Sequence, residues 1–186
     1  MIPVAVIHAL LKFVDTLDGF LSENPIIIGD WSHMRMNELL APLLWLTDHA
    51  PELADLSPVL SLMGKVHSQG MDWTSWILSP AFKGLTTKDP GNLCGPVFYE
   101  QLMVHGVDIG TSLMQQAHSF RVTGANDSFT RARAQLDTMM AFHGQASGVF
   151  SAGECLCGRA PGAGTYSFRC PCHSNASIYH VFWVCS

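Results

Sequence analysis

The sequence predicts an all-α fold in which antiparallel helical hairpins pack side by side. Apolar residues recur at steps of three and four through most of residues 3 to 143, as they do on one face of a helix. Short segments rich in Gly, Pro, Asn and Asp interrupt this spacing, and no convincing run alternates apolar and polar residues as a strand does. Successive helices joined by short turns lie antiparallel, so hairpins follow.

The first half of the chain carries four helical patterns. Residues 3 to 22 form the first, whose expected core face is Val6, Leu10, Phe13, Val14, Leu17 and Leu21. Residues 31 to 49 form a second, leucine-rich helix that stops before a proline. Residues 52 to 69 form a third, and its apolar spacing is set by Leu53, Leu56, Leu60, Met63 and Val66. A glycine cap at position 70 separates it from a short helix over residues 71 to 78.

The second half begins with a break in the pattern. Residues 79 to 101 contain several prolines and glycines without helical spacing, which predicts a long irregular loop; loops of this length are usually functional. Helical spacing returns over residues 106 to 122 and 128 to 142, with a tight turn at Gly124-Ala-Asn-Asp between them. A final helical hairpin is therefore expected.

Composition and charge restrict the class of protein. The 186 residues are 48% hydrophobic and 13% charged, which suits one globular domain or part of one. The net charge of −5 includes no long run of either sign, so nucleic acid is not an expected partner. Charged residues interrupt every apolar run before the roughly 18 residues that a membrane span needs, and no clear signal peptide is present. Compartment and oligomeric state stay open.

The cysteines are concentrated at one end of the chain. Five of the six follow residue 150, so the fold of the preceding part is not expected to depend on disulfides. Thiolates and an imidazole suit tetrahedral zinc, which offers a possible zinc site at Cys155, Cys157, Cys170, Cys172 and His173. Structural zinc sites more often use pairs separated by two residues, so the spacing here is less typical.

Three stretches of sequence carry a family resemblance. They are residues 66 to 73 (VHSQGMDW), 104 to 110 (VHGVDIG) and 142 to 165 (FHGQASGVFSAGECLCGRAPGAGT). In content, order and separation they resemble glycoside hydrolase family 127, the β-L-arabinofuranosidases, in which the second stretch reads His-Gly-Val-Asn. The resemblance covers roughly residues 1 to 165 as a partial catalytic domain. Residues 166 to 186 resemble nothing in the family and are expected to form an unstructured tail.

The resemblance implies a fold and a reaction. Family members have an (α/α)6 barrel with the sugar at one end, so this chain would form an incomplete barrel acting on a carbohydrate. They remove terminal β-L-arabinofuranose with retention, and Glu154 falls at the position of their acid/base glutamate. His105 and His143 fall at histidines expected to bind substrate. Without the resemblance, Glu154 would be interpreted as a solvated loop residue and His105 as a helix-start histidine bonded to backbone.

One departure concerns the metal. The complete family domain holds zinc through a glutamate and cysteines, one of which is the nucleophile. Tyr166, Ser167 and Phe168 stand where the family has Glu-Leu-Cys, and the later paired cysteines have no counterpart. We therefore expect no cofactor and no hydrolysis from this chain as given. The alternative interpretation is a noncatalytic helical scaffold or binding module.

Overall fold

The computed structural model describes residues 4–49, 55–87 and 102–144, together with Gly148, Phe150, Cys155 and Leu156. Helices account for 77% of these residues, which include no strand, so the all-α prediction is confirmed. None of the described helices has the length and hydropathy to cross a bilayer. The chain divides into two compact units, Met1–Met71 and Asp72–Ser186. The tail from residue 166 lies outside the described residues.

The first unit consists of helices α1 (Val4–Glu23), α2 (Trp31–Met34), α3 (Met36–His49) and α4 (Ser57–Gln69). Both α1 and α3 pack against α4. Burial of apolar surface drives this packing, and the most deeply buried side chains are Val14, Met34, Leu40, Leu43, Val59, Leu62 and Val66. The single helix expected over residues 31 to 49 is divided at Arg35, whose φ of −101° and ψ of 17° are not helical.

The faces that α1 and α4 bury differ from the sequence expectation. In α1 only Val14 and Leu21 are buried, whereas Phe13 is 56% exposed. In α4 the side chain of Leu60 is 57% exposed, and the buried face is Val59, Leu62, Met63 and Val66. Each helix carries a broad apolar stripe, and periodicity does not determine which edge of that stripe meets a neighbour.

The start of α4 also differs from the prediction. This helix begins at Ser57 rather than at residue 52, and residues 50 to 54 lie outside the described part. The Asp55 carboxylate accepts the Ser57 N–H at 2.8 Å, and Pro58 occupies the first turn, where its missing N–H has no helical partner to lose. The hydrogen bonds to Ser57 lower the pKa of Asp55.

The second unit contains α5 (Trp73–Leu78), α6 (Pro80–Lys83), a 3₁₀ turn (Gly84–Thr87), α7 (Gly106–Ser112), α8 (Gln115–Thr123) and α9 (Ser128–His143). Helices α8 and α9 pack together as the expected hairpin, and α9 also packs on α5. Gly124 ends α8 with a φ of 70°, a conformation that favours glycine. The helix expected over residues 106 to 122 is interrupted at Leu113 and Met114.

The prediction of an irregular segment from residue 79 is wrong for residues 80–87. The Ser79 hydroxyl accepts the Phe82 N–H at 3.1 Å and starts α6, while Pro80 fits the first helical position. Phe82 is fully buried, so tertiary packing stabilises a turn that has no helical periodicity in the sequence. Residues 88–101 lie outside the described part.

A buried polar network joins the helices of the second unit. Gln116 Nε2 on α8 donates to Thr74 Oγ1 on α5 at 2.7 Å. Thr74 Oγ1 in turn donates to Gln135 Oε1 on α9 at 3.0 Å. Gln135 Nε2 donates to the Ser112 carbonyl at the end of α7 at 3.1 Å. Paired polar groups of this kind fix the relative positions of the helices that supply them.

Candidate functional site

Two of the sequence stretches singled out above, those that contain His105 and Cys155, meet in the second unit. His105 pairs with Cys155 through an isolated antiparallel bridge, and Leu156 N donates to the Val104 carbonyl at 2.9 Å. Cys155 and Leu156 are both buried. Glu154, the predicted acid/base, lies outside the described residues, but the residue that follows it is paired with the predicted substrate-binding His105.

His105 lies at the junction between this pairing and a helix. It is the residue immediately before α7, with extended backbone at φ −64° and ψ 125°, and its carbonyl accepts the Ile109 N–H at 3.0 Å. Its side chain is 15% exposed, and Nδ1 lies 3.5 Å from Oδ2 of Asp108. The Asp108 carboxylate is completely buried in the first turn of α7. His105 is therefore held at its backbone and faces a carboxylate at one ring nitrogen.

His143 occupies a more enclosed position. It is the last residue of α9, its side chain is fully buried, and its ring lies 5.1 Å from the Phe82 ring. Burial lowers the pKa of His143 to about 4, so its imidazole is neutral at neutral pH. The next residue, Gly144, pairs with Phe150. Binding of a sugar by His143 stays a prediction.

Trp76 on α5 connects the segments around the two histidines. Its indole Nε1 donates to the Met103 carbonyl at 2.8 Å, two residues before His105. Its ring also meets Phe82 edge to face, with centroids 5.9 Å apart, and Phe82 in turn contacts His143. Trp76 and Phe82 thus link the segment before His105 to the ring of His143.

Sequence reasoning did not assign a site role to Trp76, Phe82 or Asp108. Phe82 falls in the segment expected to be irregular, and contacts between segments distant in sequence leave no local pattern. Asp108 could have been found, since it follows His105 by three residues at a helix start, where such side chains come together.

The donor groups in the described part of the chain do not fit a zinc site. Cys155 is disulfide-bonded, so its sulfur is not a thiolate able to bind zinc at the alternative site. Cys157, Cys170, Cys172 and His173 lie outside the described residues, as do Tyr166, Ser167 and Phe168. Among the residues that the structure does describe, no three His, Cys, Asp or Glu side chains are grouped to hold a metal ion.

Comparisons of the chain with protein-family models, with curated proteins and with solved structures found no match. The described residues define an all-α fold in which the His105 and Asp108 pair lies next to the backbone pairing of His105 with Cys155.

Proposed function

We propose that this chain is part of a glycoside hydrolase-like domain of the β-L-arabinofuranosidase kind, in which its helices contribute to an (α/α)6 barrel. The backbone pairing of His105 with Cys155 is the observation that carries the proposal. A catalytic acid and a substrate-binding histidine must face the same sugar ring. The pairing supports the proposal because Cys155, the partner of His105, is the residue that follows Glu154 in the sequence.

Each residue has a distinct role in the proposed site. Glu154 would protonate the leaving oxygen and then activate water, as the acid/base of a retaining glycosidase does. His105 would bind a sugar hydroxyl through its imidazole ring. Retention also requires a separate nucleophile, because one carboxylate cannot perform both roles.

The chain as given is proposed to recognise the L-arabinofuranosyl group without hydrolysing it. Tyr166 and Phe168 stand where the family has a zinc-binding carboxylate and thiolate, and neither side chain can replace these ligands. In a complete family domain a cysteine would supply the thiolate nucleophile, and zinc would activate it by favouring loss of the thiol proton. Binding and proton transfer are the functions that remain for the residues of this chain.

A noncatalytic helical scaffold is the second candidate. The disulfide at Cys155 favours it, because a bridge beside His105 restrains the paired segment whether or not a sugar binds. A scaffold with no sugar site would bind neither arabinofuranosides nor other glycosides, so a binding measurement separates the candidates.

Hydrolysis of an aryl β-L-arabinofuranoside tests the proposal with two matched proteins. One is the 186-residue chain, and in the other a family continuation beginning Glu-Leu-Cys replaces the residues after Thr165. We expect no turnover from the first. We expect turnover from the second, reduced at least about a hundredfold by Glu154→Gln, since general acid catalysis contributes about 10²- to 10⁴-fold.

The exposed His49 provides the control, since His49→Ala in the extended protein should leave turnover unchanged. Turnover by the 186-residue chain, or full activity of the Glu154→Gln protein, would contradict the assignment.

A further inference from the structure

We propose that an exposed apolar face of α1 binds the same face of a second copy of this chain, with the two helices antiparallel. We call this face the α1 seam. It consists of five residues on one side of the helix: Val6, Leu10, Phe13, Leu17 and Phe20. The dimer is independent of the proposed function, because no residue of the candidate sugar site lies in the first unit.

The seam has the spacing by which helices pair. Its residues follow one another at steps of four and three, which is the heptad pattern of paired helices. Phe13 is 56% exposed and Phe20 is 57% exposed in the part of the chain that the structure describes, and Val6 and Leu10 are exposed as well. The buried residues of α1, Val14 and Leu21, lie on the adjacent side of the helix, which packs against α4. The seam is therefore a second apolar face of α1.

The area of the seam suits a reversible dimer. An aromatic side chain can bury about 150–250 Å², so Phe13 and Phe20 each leave on the order of 100 Å² exposed. With its three aliphatic residues the seam offers roughly 400 Å², and apolar patches of about 300–600 Å² are often functional. A stable interface takes about 800 Å² from each partner, of which about 65% is apolar in homodimers. The seam thus supplies most of the apolar surface that a dimer needs.

The distribution of charge and size along α1 suits a second copy of the same helix. The charged side chains Lys12, Asp15, Asp18 and Glu23 all lie outside the seam, and Asp18 pairs with Lys65 of α4 at 2.7 Å. Uncharged side chains are typical of the core of an interface. In an antiparallel pair centred on Phe13, each Leu10 lies opposite the partner's Leu17. Each Val6 lies opposite the partner's Phe20, so a small side chain meets a large one.

Charge complementarity selects the antiparallel direction. In this alignment Glu23 lies beside the first turn of the partner's α1, which begins at Val4. The backbone N–H groups of that turn have no intrahelical partner, the helix dipole is positive there, and the turn contains no acidic residue. Within its own helix Glu23 stands in the last turn, at the negative end of the dipole. A parallel dimer would instead place the two Glu23 carboxylates at the same end, where they repel.

Sedimentation of the 186-residue chain over a range of concentrations tests the dimer. We expect the average mass to rise with concentration and to level off at twice 20.3 kDa, because an isologous interface closes at two copies. A mass of 20.3 kDa at every concentration would overturn the proposal and would leave the seam to a different protein or to further helices of a larger domain. Growth beyond two copies would overturn it as well.

Phe13→Glu tests whether the seam forms the interface, because it opposes two carboxylates at the centre of the dimer. We expect the dissociation constant to rise at least about a hundredfold, since opposed like charges in an interface cost several kcal/mol. Phe129→Glu is the matched control at a phenylalanine of α9 that is 63% exposed, and it should dimerise as the original chain does. Far-UV circular dichroism checks the fold of both variants.

An intact dimer in folded Phe13→Glu, or an equal loss in Phe129→Glu, would contradict the seam as the interface. If the carboxylate at residue 13 prevents folding, Phe13→Ala replaces it. This variant removes the ring without adding a charge, and we expect it to weaken dimerisation at least about tenfold, as loss of a central aromatic residue does.

Glu23→Gln tests the direction of the two helices. In the antiparallel dimer it should raise the dissociation constant at least about threefold, because two contacts between a carboxylate and a helix N-terminus are lost. A parallel dimer would become tighter, since the repulsion is removed, and that result would overturn the proposed arrangement. Asp15→Asn makes the same change in charge at an exposed position of α1 outside the seam, and it should leave the dissociation constant unchanged.

Discussion

Buried histidines give the second unit a specific dependence on pH. Burial lowers the pKa of His143 to about 4. It does the same for His118, whose pKa of about 4 is also lowered, to a smaller extent, by Arg121. Unfolding would return each imidazole toward the ordinary histidine pKa of 6.5, so the unfolded chain binds more protons between these values. Stability is therefore fully present above about pH 6.5 and decreases as the pH falls through about 4.

His143→Phe tests this linkage at one residue. Phenylalanine keeps a ring against Phe82 but cannot bind a proton. We expect the loss of unfolding free energy between pH 7 and pH 4 to shrink by up to about 3 kcal/mol, since one pKa unit corresponds to about 1.4 kcal/mol. Urea unfolding of both proteins across this pH range measures the change in unfolding free energy. His49→Phe, at an exposed position, is the control, and an unchanged pH slope in His143→Phe would refute the linkage.

At the scale of one helix, α4 offers a matched pair of leucines. Leu62 is fully buried and Leu60 is 57% exposed. We expect Leu62→Ala to reduce the free energy of unfolding by about 2–5 kcal/mol, because it leaves a cavity and loses buried apolar surface. Leu60→Ala should change it by no more than about 0.5 kcal/mol. Urea unfolding of both variants checks the buried face, and equal losses would contradict it.

The turn between α8 and α9 provides a second test at this scale. Gly124 has a φ of 70°, and a Cβ added there would meet no atom within 4 Å. Gly124→Ala should therefore destabilise the second unit by about 1–2 kcal/mol through backbone strain alone. Gly64→Ala is the control, because Gly64 lies inside α4 with equal space, and alanine should stabilise that helix by about 0.5–1 kcal/mol. If thermal unfolding shows the same change in stability for Gly124→Ala and Gly64→Ala, backbone strain at residue 124 is ruled out.

These elements show how far the sequence could predict the fold. Apolar spacing was sufficient to predict α1, α3, α4 and α9, because each of these helices buries one apolar face. Apolar spacing could not predict that Gln135 is buried, since the burial of this polar side chain depends on hydrogen-bond partners on α5 and α7. Tertiary partners also decide that Val59 and Leu62, rather than Leu60, meet the neighbouring helices.

At the scale of the whole molecule, the candidate site depends on contacts distant in sequence. The sequence resemblance selected His105, His143 and Glu154 separately, and no local pattern predicts that His105 pairs with Cys155. The three-residue spacing of His105 and Asp108 at a helix start could have indicated their proximity, but not the complete burial of the Asp108 carboxylate, which depends on the folded chain. The residues expected to touch a sugar were thus proposed from sequence, and their supporting contacts emerged only from the folded chain.

Binding of methyl β-L-arabinofuranoside by the 186-residue chain tests the central claim most directly. Calorimetric titration should detect binding that His105→Ala weakens at least about tenfold, which corresponds to about 1.4 kcal/mol. His49→Ala should bind as the original chain does, because His49 is exposed in the first unit. No binding by the original chain, or equal binding after His105→Ala, would contradict a sugar site at His105.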